Sequence, residues 1–423
     1  MKTNRIVNII KASTFALLTG VISTSCLDQL EEETYGKYSA DTYFDTTTKM
    51  EMAVNGVYET FSSITTYGQY WQVYGDCDTD IAHVKGAGTG HVARDLGHYN
   101  AYAEHSWLQE SWGLYYQGID RANTILEQKG NVVINGESDQ LVFNRLVAQT
   151  KCMRAMCYLD LVRLWGDVPL KLNPSKDGDD FKLPKTNRNE VYAQIITDLK
   201  EAIPHLLWCD DSNQKGERLS KGAAMGLLAR TYLFCGGYSL YQDKSIKRPS
   251  NYKEYYQAAQ TILNELITSG KHGLIDADGT YSSGYEKNFR NMCELKYDPF
   301  ENICEISFYN PTGQNAGASN MGTYNGPEIN VNSIYGRANS FIKTHKFFYE
   351  TFDEKDLRRD VAVATFSINA NSKIVEIAEK NSQNWSPGKW RRNWQTAAIK
   401  DNNNTDVNFP LLRYADVLLM SAE

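Results

Sequence analysis

Leu161-Val162-Arg163-Leu164-Trp165-Gly166-Asp167-Val168-Pro169-Leu170 closes the stretch, 141–170, on which the reading of the fold turns. Within it Ala148, Cys152, Ala155, Leu159 and Val162 recur at steps of four and three, the spacing of one helical face. Phe143, Val147, Tyr158, Leu161 and Trp165 fill the opposite side. A helix apolar on two faces is buried by neighbours on both. Lys151, Arg154, Asp160 and Arg163 must then reach partners or water, because an unpaired charge inside a core is strongly destabilising. Gly166 offers a left-handed cap and Pro169 blocks resumption of the helix. The stretch predicts a central helix that delivers a tight, ordered turn.

Helical patterns continue on either side. Met50, Met52, Ala53, Val54, Val57, Tyr58 and Phe61 follow the cap signal Asp45-Thr46, and Trp107, Leu108, Trp112, Leu114, Tyr115, Ile119, Ala122 and Leu126 define a second helix ended by Gly130. Beyond the central helix, Thr186 to Glu190 opens a helix carried by Val191, Ile195, Leu199 and Ala202. Ser220 caps 221–234, where Gly222, Ala223, Ala224, Gly226 and Ala229 are read as letting two helices approach closely. Asn251 and Glu254 open 252–268. Helix pairs joined by short loops, without strict periodicity, describe a degenerate helical-repeat scaffold. After Gly270 the pattern breaks into a glycine-punctuated region with one clear strand at 303–309, an expected helix at 340–352 and an expected strand at 361–368. The fold class is mainly α, with an irregular, loop-rich C-terminal half containing a few short strands.

Charge and composition narrow the function. A formal charge of −7 and a pI near 5.6 argue against a nucleic-acid partner. The 27 Tyr and 8 Trp exceed what a helical core needs, and both side chains join a flat apolar face to a polar tip, which suits a ligand surface. Lys2, Arg5 and Lys11 precede an apolar run at 12–22, too short to span a bilayer, with small residues before Cys26: a signal peptide over 1–25. Its removal would leave a charge of about −10. Asp28, Glu31, Glu32 and Glu33 then form an acidic tether over 26–40. The other seven cysteines show no paired spacing and are read as small core residues.

From 67 to 90 the chain changes character. Tyr67, Tyr70, Trp71 and Tyr74 precede Gly75-Asp76-Cys77-Asp78-Thr79-Asp80 and then Gly86-Ala87-Gly88-Thr89-Gly90, the composition of a long functional loop. Asp76, Asp78 and Asp80 alternate as in a calcium loop, but Ile81 stands where that loop needs its turn glycine. The glycine run lacks the Lys-Ser/Thr of a phosphate loop. Neither GxSxG nor HExxH occurs, the seven His form no ligand pattern, and no motif asks for a cofactor or metal. Trp165-Gly166-Asp167 is read as a helix stop whose Asp caps local amides, and 356–360 as a structural charge network.

Val21-Ile22-Ser23-Thr24-Ser25-Cys26 resembles a bacterial lipobox, with Ser23 in place of the usual aliphatic residue. Together with 161–170, the 221–234 helix, Asp356-Leu357-Arg358-Arg359-Asp360 and Phe409-Pro410-Leu411-Leu412-Arg413-Tyr414-Ala415-Asp416-Val417-Leu418, it makes the chain similar to the SusD/RagB family from Cys26 onward. The resemblance implies an outer-membrane, surface-facing nutrient-binding lipoprotein acylated at Cys26 that partners a SusC-like TonB-dependent transporter. It also implies tetratricopeptide-like helix pairs in a SusD-like region, 41–270, and a RagB/SusD C-terminal region, 271–423, with ligand loops. The family continues beyond a segment like 413–423, so this copy is expected to be C-terminally incomplete.

The first functional reading is a non-catalytic binder of oligosaccharides, because sugar C–H faces stack on aromatic planes while hydroxyls bond to amides. Its candidate residues are Trp71, Tyr74, Tyr99, Tyr281, Tyr285 and Tyr324, with Asn100, Asn320 and Asn325 as polar partners. The alternatives are a peptide cargo, as the RagB branch implies, and a glycosidase, which would need two carboxylates about 5 to 9.5 Å apart that spacing alone does not pair.

Overall fold

A computed structural model describes residues 43–309, 317–395 and 403–423, of which Phe44–Glu423 pack as one unit. The expected signal peptide, Cys26 and acidic tether lie outside the described residues. In chain order the helices are α1 (Thr47–Tyr58), α2 (Tyr70–Asp76), α3 (Val92–Gly97), α4 (Ser106–Gln128), α5 (Glu137–Trp165), α6 (Arg188–Ala202), α7 (Lys221–Gly236), α8 (Tyr252–Thr268), α9 (Gly284–Cys293), α10 (Lys346–Glu350), α11 (Arg359–Ala362) and α12 (Tyr414–Ala422). Short strands intervene: β1 (Ala82–Val84), β2 (Ser239–Leu240), β3 (Ile246–Lys247), β4 (Cys304–Ile306), β5 (Ile342–Thr344), β6 (Val363–Ala364), β7 (Phe366–Ile368), β8 (Ile374–Glu376), β9 (Ser386–Pro387) and β10 (Phe409–Leu412). They form antiparallel pairs only, β1 with β5, β4 with β10, β2 with β3, β6 with β9 and β7 with β8.

The central helix is α5. It packs against α4, α6 and α1, and Cys152 through Val162 are buried without interruption. Its charges find partners as that burial requires. Arg154 grips Asp198 of α6 through Nε at 2.8 Å and Nη2 at 2.7 Å, and its Nη1 donates to Asn123 of α4 at 2.8 Å. Asp160 accepts from Tyr67 Oη at 2.6 Å and faces Arg163 at 3.8 Å; burial still pushes its carboxyl up to about 6. Gly166 caps α5 at φ +76°. Asp167 accepts from the backbone N–H and Nε of Arg188 at 3.1 and 3.2 Å, so it caps the start of α6 rather than the end of its own helix. The pairs α4/α5, α5/α6, α6/α7 and α7/α8 continue the scaffold.

Four local expectations need correction. The stretch 67–90, expected as a long loop, holds helix α2 over Tyr70–Asp76 and strand β1 over Ala82–Val84. Within 340–352 the chain runs as strand β5 before the short α10, because Ile342, Lys343 and Thr344 are buried by pairing with β1. Within 361–368 the strand is preceded by α11 and divided into β6 and β7, which pair with different partners. The small residues of α7 serve more than helix contact: a Cβ on Gly222 would meet His272 Nε2 at 2.2 Å and one on Gly226 would meet Leu412 Cδ2 of β10 at 2.2 Å, while one on Gly236 would meet the Tyr256 ring of α8 at 2.6 Å. The seven described cysteines are free thiols, six buried and Cys209 half-buried. At 356–360 Asp356 pairs with Arg358 at 2.6 Å and Asp360 with Arg359 at 3.3 Å.

Candidate ligand-binding site

The tract at 67–105 and the tract at 317–345 are far apart in sequence and are knitted together in space. A π-type turn, Ile64–Gly68, ends with the Gly68 carbonyl accepting the Asn320 N–H at 2.7 Å. A Cβ on Gly68 would stand 2.8 Å from the Ser63 carbonyl oxygen and 3.0 Å from that of Ala318, so only glycine allows this approach. Beyond it β1 and β5 pair with Val84 opposite Ile342, and the Lys85 N–H donates to the Phe341 carbonyl at 2.8 Å. Ile342 N–H donates to the Tyr324 carbonyl at 2.9 Å, which lays a third segment beside the pair.

This seam sets three rings in a row. Phe341 lies 4.9 Å from Tyr324 at an interplanar angle of 31° and 5.4 Å from His91 at 30°. In this group of rings, called the arc below, Tyr324 and Phe341 are half-buried and His91 is exposed. The arc rests on a packed layer in which Tyr70 stacks on Trp107 at 3.9 Å and 10°, with Tyr74, Val92 and Leu96 around them. Tyr70 Oη donates to Glu110 at 2.6 Å, and Tyr74 Oη bonds with Ser111 Oγ at 2.9 Å. Burial raises the phenol pKa of Tyr324, offset in part by its hydrogen bond with Gln69.

Polar groups border the rings. Lys85 Nζ pairs with Glu328 at 3.1 Å, and the buried Lys343 approaches the same carboxylate at 3.6 Å. Burial pushes the Lys343 ammonium down to about 8. Arg94 lies 6.0 Å over the Phe341 ring. Behind the rim, His98 Nδ1 is 2.5 Å from Asp78 Oδ2 and its Nε2 is 3.0 Å from the Gly86 carbonyl, which ties the glycine-rich loop down. Flat rings flanked by charged donors and acceptors suit a sugar's apolar face and its hydroxyls. Lys343 Nζ also lies 2.8 Å from Ser340 Oγ, itself 2.6 Å from Ser386 Oγ, the makings of a lysine-activated serine. Both serines are fully buried, and with Lys343 they join β5 to β9.

The expected ligand residues are dispersed. Tyr324 joins the arc, Tyr74 supports it from below, and Tyr99 and Asn100 stand exposed just after α3, with Tyr99 Oη donating to the Asp78 carbonyl at 2.6 Å. Trp71 is buried, stacked on Tyr67 at 5.6 Å, and donates to Tyr115 Oη at 2.6 Å. Asn320 is buried and donates to Asn404 at 2.8 Å, and Asn325 is buried with its Oδ1 accepting from the Gly322 N–H at 2.9 Å. Trp71 and Asn325 face a separate cavity of about 760 Å³, shared with Phe234, Trp390 and Phe409. Tyr281 sits under Arg290 at 5.2 Å, and Tyr285 packs on Phe289 at 4.9 Å. Sequence reasoning missed Phe341, His91, Arg94 and Glu328. Phe341 was absorbed into a supposed helix, and the other three carry no local signal.

Comparison with known proteins agrees with this architecture. A family described as "Starch-binding associating with outer membrane" matches residues 28–233, and one described as "SusD family" matches 275–423. SusD-like protein P2 of Formosa agariphila is 24% identical over 409 residues, covering 94% of this chain and 74% of that protein. Among solved structures, a SusD homolog from Bacteroides thetaiotaomicron is 28% identical with a TM-score of 0.80, covering 90% of this chain and 74% of the other. One named as a laminarin binding SusD-like protein is 21% identical with a TM-score of 0.68, covering 90% and 80%. A surface glycan-binding protein A from Bacteroides fluxus has a TM-score of 0.68 at 17% identity, covering 90% and 76%. The mainly helical scaffold with several short strands in its C-terminal half is that of the SusD-like structures. The chain belongs to the SusD/RagB family.

Proposed function

We propose that this protein is a non-catalytic glycan-binding lipoprotein of the outer membrane, exposed on the cell surface. In this reading Cys26 carries the acyl chains, each buried methylene contributing about 0.8 kcal/mol to anchoring, and among the described residues no helix is long and apolar enough to cross a membrane. The protein captures oligosaccharides and passes them to a SusC-like TonB-dependent transporter for import.

The observation that carries the reading is the tilted row His91, Phe341 and Tyr324, whose rings stand at 5.4 and 4.9 Å and are bordered by Arg94, Lys85 and Glu328. A glycan needs little more than such a platform, since stacking and hydrogen bonds hold it without covalent chemistry. The names of two structural relatives, a laminarin binding protein and a surface glycan-binding protein, support the cargo class. Titration calorimetry with soluble oligosaccharides tests it: heat of binding that Phe341→Ala weakens is expected, and no binding by folded protein to any glycan would refute it. Co-purification from solubilised membranes, with a TonB-dependent barrel coming along, tests the partner.

A further inference from the structure

We propose that the arc selects acidic sugars, seating the carboxylate of a uronate on the guanidinium of Arg94; this rests on the glycan-binding reading and narrows it. Arg94 is fixed at one end only. Its Nε donates to the Lys85 carbonyl at 2.9 Å, and its guanidinium lies 6.0 Å over the Phe341 ring. On the other side runs the glycine loop. A Cβ on Gly86 would stand 3.1 Å from Arg94 Nε, and φ there is +90°, so glycine is what lets the backbone pass this close. The guanidinium is therefore held between a ring and a turn, half-exposed, with its plane constrained before any ligand arrives.

The outer nitrogens of that fork, Nη1 and Nη2, donate no hydrogen bond to, and form no ion pair with, the described residues. The acids around it are engaged elsewhere. Glu328 is held by Lys85 at 3.1 Å and Lys343 at 3.6 Å. Asp95 is buried and accepts the Gly90 N–H at 3.0 Å, and Asp78 binds His98 at 2.5 Å. A pre-oriented guanidinium with two parallel donors matches a carboxylate bidentately, whereas a neutral hydroxyl fills only one of the two positions. Lys85 is spent on Glu328, so on a chain whose formal charge is −7 the Arg94 guanidinium is a rim cation left for a ligand anion.

Calorimetry of the full chain against four probes tests the proposal: tetragalacturonate, the same oligosaccharide as its methyl ester, neutral maltoheptaose and a sulfated carrageenan tetrasaccharide. Tetragalacturonate is expected to bind at least about tenfold more tightly than its ester, the scale of one charge-assisted hydrogen bond, and Arg94→Gln and Arg94→Lys are expected to remove that preference. Because Arg94→Gln also loses the Lys85 contact, the salt dependence of the unaltered chain is an independent measure: affinity for the acid should fall between about 50 mM and about 500 mM salt while that for the ester holds. Equal binding of acid and ester, or tighter binding of the sulfated probe, would overturn the assignment and leave glycan binding intact. Failure of all four probes, with Phe341→Ala silent as well, would count against the underlying reading.

Discussion

Phe341 is the residue on which the arc depends, since both neighbouring rings are placed against it. Phe341→Ala is expected to weaken glycan binding by about tenfold, the scale of a lost aromatic contact, with the far-ultraviolet spectrum unchanged. His98 carries a pH signature. A neutral imidazole can donate through one nitrogen only, yet His98 faces the Asp78 carboxylate and the Gly86 carbonyl at once, so the cation satisfies the site. The hydrogen bond to Asp78, then that to Gly86, raise its pKa, while slight burial and Arg94 oppose the rise. With the folded pKa above the unfolded one, the stabilisation is fully present below the unfolded pKa and is lost as pH rises through the folded value. Protease cleavage within 86–90 should therefore speed up as pH is raised from about 6 to about 8, and His98→Gln should remove that dependence. Deeper in the fold, Arg154→Met strands the buried Asp198 carboxylate, and thermal or denaturant unfolding should show a loss of roughly 3 to 5 kcal/mol. A double replacement with Asp198→Leu should recover much of it.

At the scale of elements, the turn from Met321 to Gly326 places Tyr324, and its backbone has no spare room. A Cβ on Gly326 would meet the Trp390 carbonyl oxygen at 2.2 Å and that of Gly322 at 2.7 Å. Gly326→Ala is expected to cost about 1 to 3 kcal/mol of stability and to weaken glycan binding, because the clash is with backbone that cannot rotate away. Helices α1, α4, α5, α6, α7 and α8 follow apolar spacing visible in sequence, and Thr46, Asn187 and Ser220 each accept a backbone N–H at the expected cap of α1, α6 and α7; Asn251, expected to cap α8, instead donates its side-chain amide to Glu254 at 3.1 Å. Strand β5 was not visible. Three residues, Ile342 to Thr344, are too few to show a period, and adjoining Phe347, Phe348 and Phe352 extend a helix-like spacing across them. Pairing with β1 decides their conformation, and it is that pairing which turns Phe341 toward His91.

For the whole molecule, α5 should exchange its amide hydrogens most slowly, since it is enclosed by α1, α4 and α6; hydrogen-exchange mass spectrometry would refute this if Cys152 through Val162 opened as readily as the 86–90 loop. The helical scaffold, its central helix, the stop at Gly166 and the family were all legible in the chain, because helix periodicity and caps are local and repeat often enough to be counted. The proposed binding surface was legible only as a class of residue. Tyr324 was among the candidates, but Trp71, Asn320 and Asn325 proved to be buried, and Phe341, His91 and Arg94 went unnoticed. Which aromatic rings face outward depends on β1 meeting β5 and Gly68 meeting Asn320, contacts between segments some 250 residues apart, where each side chain's exposure is fixed by a partner strand that no local pattern identifies.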